Sequence, residues 1–266
     1  MGIFRESVEK HMNGHIILIC EDSSIGIFTG IYEAYEKKLD HDTTILQVGE
    51  EDNLRLFAEY IRVMPSQEKA EKVIRTIRKR FGEETMRILF EALASTDLQK
   101  GHAVYQMIVF GLRGNYSGKL IDCLSFEPII KVVALSTAVW HECHHFYGFL
   151  RFKELTNGIL FAQIKPKAQL LELLGEHFSN RFPNENFMIY DEAHDNCLIH
   201  GVGKEWFIIS GDLLRMEELP GFSTEELQIQ ELFKHFCHKI AIKERENISL
   251  QQQMLPLRYR SNMVEV

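Results

Sequence analysis

The pattern of hydrophobic and polar positions changes its period near residue 148. His15 to Cys20 (HIILIC) is a short apolar run, the pattern of a buried strand, and Asp22-Ser23-Ser24 follows as a cap for a helix over Ile25 to Tyr35. The chain therefore opens β-then-α. Thr43 to Val48 is a second short extended piece, and Leu54 to Val63 fits neither period cleanly. Ser66, with Gln67 and Glu68 after it, starts a helix whose Ala70, Val73, Ile74 and Ile77 share one face; Gly82 stops it. Glu83 to Ser95 and Leu98 to Gly111 read as two more amphipathic helices, and Gly111 to Gly118 as a loop. Glu127-Pro128 opens a long apolar helix that passes through His145 and ends at Gly148.

Beyond Gly148 the period shortens. Phe149 to Glu154 and Ile159 to Ile164 flank Leu155-Thr156-Asn157-Gly158, and Asn-Gly between apolar runs predicts a hairpin. Ala168 to Phe182 is helical. Phe187 to Tyr190, Cys197 to Gly201 and Trp206 to Ser210 are further strands, and a last helix covers about Thr224 to Asn247, with Leu227, Leu232, Phe233, Phe236, Ile240 and Ile242 supplying its apolar side. The expected class is α+β. A mostly helical N-terminal half with a β-α opening precedes a central antiparallel β-β-α-β-β sheet unit, and a C-terminal helix and basic tail complete it. The expected organisation is an N-terminal extension, 1–14, and a single domain, 15–266. Within that domain the helical part is 15–147, the sheet part 148–212, and the last helix and tail 222–266.

Composition narrows the class. An apolar fraction of 45% and a charged fraction of 26% are those of an ordinary globular chain. No run approaches the roughly 18 apolar residues of a membrane span, and the N-terminus lacks a signal-peptide core, so no membrane contact and a cytoplasmic location are expected. The five cysteines are widely spaced with no C-x-x-C, which argues against zinc ribbons, redox pairs and iron–sulfur clusters. The net charge is −8, yet six Lys and Arg stand against two Glu between Leu232 and Arg260. A basic C-terminal region on an acidic body suits local phosphate contact rather than general polyanion binding.

Three stretches bear on chemistry. His141-Glu142-Cys143-His144-His145 contains H-E-x-x-H. His141 and His145, one helical turn apart, can reach one zinc ion, and Glu142 can polarise its bound water. No H-x-x-G-x-x-H continuation follows, so a third ligand would have to come from a later element. Gly111 to Leu120 is glycine-rich but is short by one residue for a P-loop and has no Ser or Thr after Lys119. Arg151 and Lys153 alternate with Leu150 and Phe152, which predicts a strand with both cations on one face; Arg181 lies near the same sheet.

Together these stretches carry a resemblance. Ser24 to Tyr35 (SIGIFTGIYEAY), Leu56 to Val63 (LFAEYIRV), Lys69 to Phe81, Glu142 to Glu154, Ile159 to Pro166, His177 to Pro183 (HFSNRFP) and Ile240 to Tyr259 follow in the order of a bacterial DNA metabolism and repair family, domain of unknown function 4130. The chain resembles that family over nearly its whole length. Members are encoded beside a radical-SAM protein of DNA repair or modification, so the resemblance implies DNA and that enzyme as partners. It also implies an acidic residue at Glu142, histidine at His144 and basic residues at Arg151 and Lys153. His141 and His145 fall where relatives carry other residues, which implies no metal cofactor. In the tail Glu244, Arg245, Asn247, Gln251, Pro256, Arg258 and Tyr259 match the pattern; Arg260 stands where an aromatic is expected.

The first expectation is thus a DNA-binding or DNA-presenting factor. Arg151, Lys153, Arg181, Lys243, Arg245 and Arg258 would meet phosphates, with Tyr259 as a stacking or packing group. Glu142 and His144 are the candidate pair for a glycosylase-like, base-directed step. The alternatives are a zinc metallohydrolase built on His141, Glu142 and His145, and a protein-binding adaptor without DNA contact.

Overall fold

A computed structural model describes residues 15–49, 55–114, 116–214 and 219–264, with the side chains of Lys243, Ser261 and Asn262 outside the described set. The expected extension, 1–14, also lies outside the described residues. Contacts divide the chain into two compact units, Met1–Val139 and Trp140–Val266, whereas the sequence reading draws one domain that changes character at 147/148.

The first unit is built on a three-stranded parallel sheet. Its strands are β1 (His15–Cys20), β2 (Thr44–Val48) and β3 (Ala58–Arg62), with β1 in the middle. The ambiguous 54–63 stretch thus supplies a strand. It pairs only with β1, which leaves it half-exposed and blurs its alternation. Helix α1 (Ser24–Glu36) follows β1 directly, capped as expected by the Ser23 hydroxyl, which accepts from the Gly26 amide at 3.0 Å. Gly30 allows α1 to approach the sheet: a Cβ there would lie 2.3 Å from Cys20 Sγ. Helix α2 (Gln67–Leu93) is two helices joined at Gly82, whose φ of 86° breaks the spiral where the sequence places a stop. Ser66 precedes it, but its hydroxyl caps nothing. Its amide donates to Thr29 Oγ1 at 3.0 Å, and that hydroxyl donates to the Ser66 carbonyl at 3.2 Å, tying α2 to α1. Helix α3 (Lys100–Arg113) runs to a left-handed cap at Gly114. A core of Leu18, Phe28, Leu46, Leu89, Tyr105 and Ile129 binds these layers together.

Helix α4 (Glu127–Phe149) crosses the division between the units. It passes through Gly148, which was expected to end it. Gly148 is absent from the positive-φ positions, and a helical glycine costs only about 1 kcal/mol relative to alanine, which the aromatic contacts of Phe149 offset.

The second unit carries a five-stranded sheet: β4 (Lys153–Glu154), β5 (Leu160–Ile164), β6 (Phe187–Asp191), β7 (Asn196–His200) and β8 (Phe207–Ser210), in that order. The hairpin forms as expected, with Gly158 at φ 77°. The expected antiparallel sheet is mixed. Helix α5 (Leu171–Arg181) carries the chain back between β5 and β6, and a helical crossover returns the next strand parallel. Leu155, Phe161, Met188 and Cys197 form a buried cluster, while Leu174, Phe178 and Phe187 are buried around α5 and the sheet. Helix α6 (Thr224–Ile240) ends earlier than expected, at Ala241; a 3-10 turn (Lys243–Arg245), α7 (Ile248–Met254) and a second 3-10 stretch (Leu257–Asn262) follow. The apolar side expected of α6 is present but uncovered: none of its residues is buried.

Candidate nucleic-acid interface

Helix α4 sorts the H-E-x-x-H residues onto two faces. Glu142 is buried, 7% exposed. Its Oε1 accepts from the Lys167 amide at 2.8 Å and from Arg258 Nη2 at 2.9 Å, and its Oε2 accepts from the Ala168 amide at 3.0 Å. The carboxylate thus holds the turn after β5 and the C-terminal tail at once. Its lone pairs serve structure, which leaves it poorly placed as a general base.

The tail closes on the same face. Tyr259 stacks on His145 with ring centres 5.0 Å apart and 9° between planes, and meets Phe146 edge-on at 5.0 Å. Arg258 donates to the Tyr259 hydroxyl and lies over its ring at 4.6 Å. Burial pushes the Tyr259 hydroxyl above its ordinary pKa, against the lowering pull of Arg258. Tyr259 is thus packed among these rings, 6% exposed, and Arg258 pairs with Glu142. The basic tail thus contributes one buried ring to this packing.

The H-E-x-x-H imidazoles are not gathered. His145 Nδ1 lies 2.7 Å from the His141 carbonyl oxygen and its ring lies on Tyr259, whereas His141 is exposed and edge-on to Trp140 at 5.1 Å. Among the described residues no three His, Cys, Asp or Glu side chains converge as metal ligands would.

The outer face of α4 carries a different arrangement. Trp140, His144 and Tyr147 stand at i, i+4 and i+7, one stripe of the helix. Trp140 and His144 stack at 5.0 Å with 16° between planes, His144 meets Tyr147 edge-on at 6.1 Å, and Tyr147 stacks on His177 of α5 at 4.0 Å and 21°. Trp140 is 43% exposed and His144 is exposed. Burial, helped by the positive charge of Arg181 one turn further on, holds His177 below its ordinary pKa. Arg181 is exposed, its guanidinium 5.7 Å from the Phe182 ring centre. The result is a run of four rings ending beside a cation. Two of the expected site residues, His144 and Arg181, belong to it. Trp140, Tyr147 and His177 were missed; for Trp140 and Tyr147 the spacing of four and three from His144 on α4 was the signal available, whereas His177 lies on α5.

The remaining cations are dispersed. The strand begins at Lys153, so Arg151 precedes it and donates to the Gly148 carbonyl at 2.9 Å, covering the end of α4. The shared strand face expected for Arg151 and Lys153 does not form, because pairing with β5 starts only at Lys153. Lys153 Nζ lies 5.6 Å from the Phe222 ring centre. Arg245 is exposed in the 3-10 turn; Lys243 opens that turn, with its side chain outside the described residues.

The first unit holds features the sequence did not single out. A cavity of about 360 Å³ lies beside β2 and the starts of α3 and α4, lined in part by Gln47, Arg55, Gln99, His102, Gln106 and Lys131. The Leu46 amide donates to His102 Nδ1 at 3.4 Å; burial first, and Arg55 second, hold that imidazole below its ordinary pKa. Lys100 is fully buried and pairs with Asp22 beyond β1 at 2.5 Å.

The α+β fold thus presents stacked rings on its α4–α5 surface, with an arginine on α5 beside them. Residues 98–265 match the family described as a domain of unknown function, DUF4130, and the chain belongs to that family. None of the curated proteins matches the chain. The matched span contains every residue of the ring face. Among the described residues no helix is long and apolar enough to cross a membrane.

Proposed function

We propose that this protein is a cytoplasmic, bacterial DNA-repair or DNA-modification factor that binds unpaired DNA beside a radical-SAM enzyme. The observation that carries the DNA reading is the ring series Trp140–His144–Tyr147–His177 with Arg181 at its end. Aromatic faces stack on unpaired bases whatever their sequence, and a cation at the edge of such a platform meets the backbone. An acidic chain can do this because contact is confined to a few groups. The radical-SAM partnership rests on the family resemblance alone. No acid–base step is assigned: Glu142 is engaged on both oxygens, which leaves His144 as a stacking group rather than half of a catalytic pair.

The test is fluorescence anisotropy of labelled single-stranded and duplex oligonucleotides with the full chain, alone and with the radical-SAM protein encoded beside it. Single strands should bind more tightly than duplex. Trp140→Ala should weaken binding about tenfold, within the roughly 1–3 kcal/mol of a stacked base. Absence of binding at low salt with the enzyme present refutes the proposal, and co-purification that survives nuclease would then favour an adaptor role.

A further inference from the structure

Helix α6 is exposed along its whole length, yet it is strongly amphipathic. Ile229, Leu232, Phe233, Phe236 and Ile240 are 61%, 72%, 39%, 55% and 59% exposed. At 100° per residue these five fall within a stripe about 100° wide, the width by which a helix normally faces a core. A 17-residue helix is about 25 Å long, so the stripe runs for most of that length. Contiguous exposed apolar surface of this kind marks an association site.

The charges of α6 say what fits it. From Thr224 to Leu232 the charged residues are Glu225, Glu226 and Glu231; from Phe233 to Ile240 they are Lys234 and Lys239, with His235 and His238. This order suits the dipole of a single helix. It also makes the helix complementary to its own reverse and repulsive to a parallel copy. Ile229, Leu232, Phe233 and Phe236 are symmetric about the Leu232–Phe233 bond, with Ile229 answering Phe236, and Ile240 lies beyond them, answering Glu225. Glu225 continues the stripe at its N-terminal end, on the Leu232 side, Lys239 borders that same side, and neither has an ion-pair partner among the described residues. Glu226 is already engaged, accepting from the Glu154 amide and from Gln230.

We propose that α6 is a self-association surface and that its occupant is the α6 of a second copy of this chain, antiparallel about a two-fold axis near Leu232 and Phe233. Ile229 of each copy packs on Phe236 of the other. Glu225 of each faces Lys239 of the other, giving two symmetry-related ion pairs. Such an isologous contact closes on itself as a dimer.

The experiment is sedimentation velocity on the nuclease-treated full chain over a wide concentration range. The expected species is a dimer of the 31.0 kDa chain. Leu232→Glu should give a monomer with unchanged circular dichroism, since the side chain is exposed. Should that variant lose its fold, the charge pair decides. Glu225→Lys and Lys239→Glu should each raise the dimer dissociation constant about tenfold, in keeping with roughly 1.4 kcal/mol, and the two combined should restore it. A wild-type chain that stays monomeric, a dimer indifferent to Leu232→Glu, or charge variants that do not rescue each other overturns the proposal. None of these outcomes depends on DNA binding.

Discussion

Glu142 and Arg258 form an ion pair at 2.9 Å between a buried carboxylate on α4 and a guanidinium 36% exposed at the tail. The same carboxylate takes two backbone amides, so the pair fixes the tail and the turn at 167–168 together. The Glu142 carboxylate is therefore occupied by structural bonds, in the packing beneath Tyr259.

Glu142→Ala should destabilise the second unit by about 2–3 kcal/mol, because it strands two amides and a partly buried guanidinium. Arg258→Ala should cost less, about 1 kcal/mol, since that partner is screened by solvent. Urea titration of both variants checks the order; equal and negligible shifts would remove the tail's structural role.

Gly30→Ala should destabilise the first unit by about 1–3 kcal/mol through overpacking, since the added carbon meets Cys20 Sγ and Leu46 Cδ1 at the α1–β1 contact. A thermal midpoint matching wild type would mean that α1 can shift without loss.

The free thiols should divide by burial. Cys20 and Cys197 are buried, and burial pushes both up to about 12, which suppresses the thiolate. Cys143 is also buried, whereas Cys123 and Cys237 are partly exposed. Titration with a chromogenic disulfide should therefore show Cys123 and Cys237 reacting first in native protein and the rest only on unfolding. Rapid modification of Cys20 or Cys197 in the native state would contradict the packing.

His41, His102 and His177 are each held below the ordinary histidine value, chiefly by burial. The unfolded chain takes up these protons near pH 6.5, while the folded chain resists until lower pH. Their contribution is full above that value and is lost as pH falls toward the folded pKa. Asp191, raised by burial, works in the opposite sense at lower pH. The stability advantage of wild type over His102→Asn should shrink on going from pH 7.5 to 5.5. A difference independent of pH would mean that His102 does not titrate on folding.

Much of this fold was legible because local signals sufficed. Ser23 caps α1, Gly82 breaks α2 and Asn157-Gly158 turns the hairpin by short-range chemistry. What escaped depends on partners distant in sequence. The parallel pairing of β5 with β6 follows from a crossover, and the exposure of α6 cannot be read from an amphipathic pattern that looks the same whether or not a partner covers it. The site divided likewise. His144 and Arg181 stand out by type, whereas the structural bonds of Glu142 are not legible locally, because its partners, Lys167, Ala168 and Arg258, lie 25, 26 and 116 positions away. The ring face joins α4 to α5, and only folding brings His177 against Tyr147.

The most direct test of the ring face uses its own chromophore. The chain has two tryptophans, Trp140 and Trp206, so Trp206→Phe leaves Trp140 as the sole indole emitter. Titrating this variant with a short single-stranded oligonucleotide at low salt should quench Trp140 emission saturably, with a weaker response to duplex and none after His144→Ala and Arg181→Ala are combined. Emission that stays constant while the oligonucleotide is shown by anisotropy to bind would place the DNA elsewhere and contradict base stacking on α4.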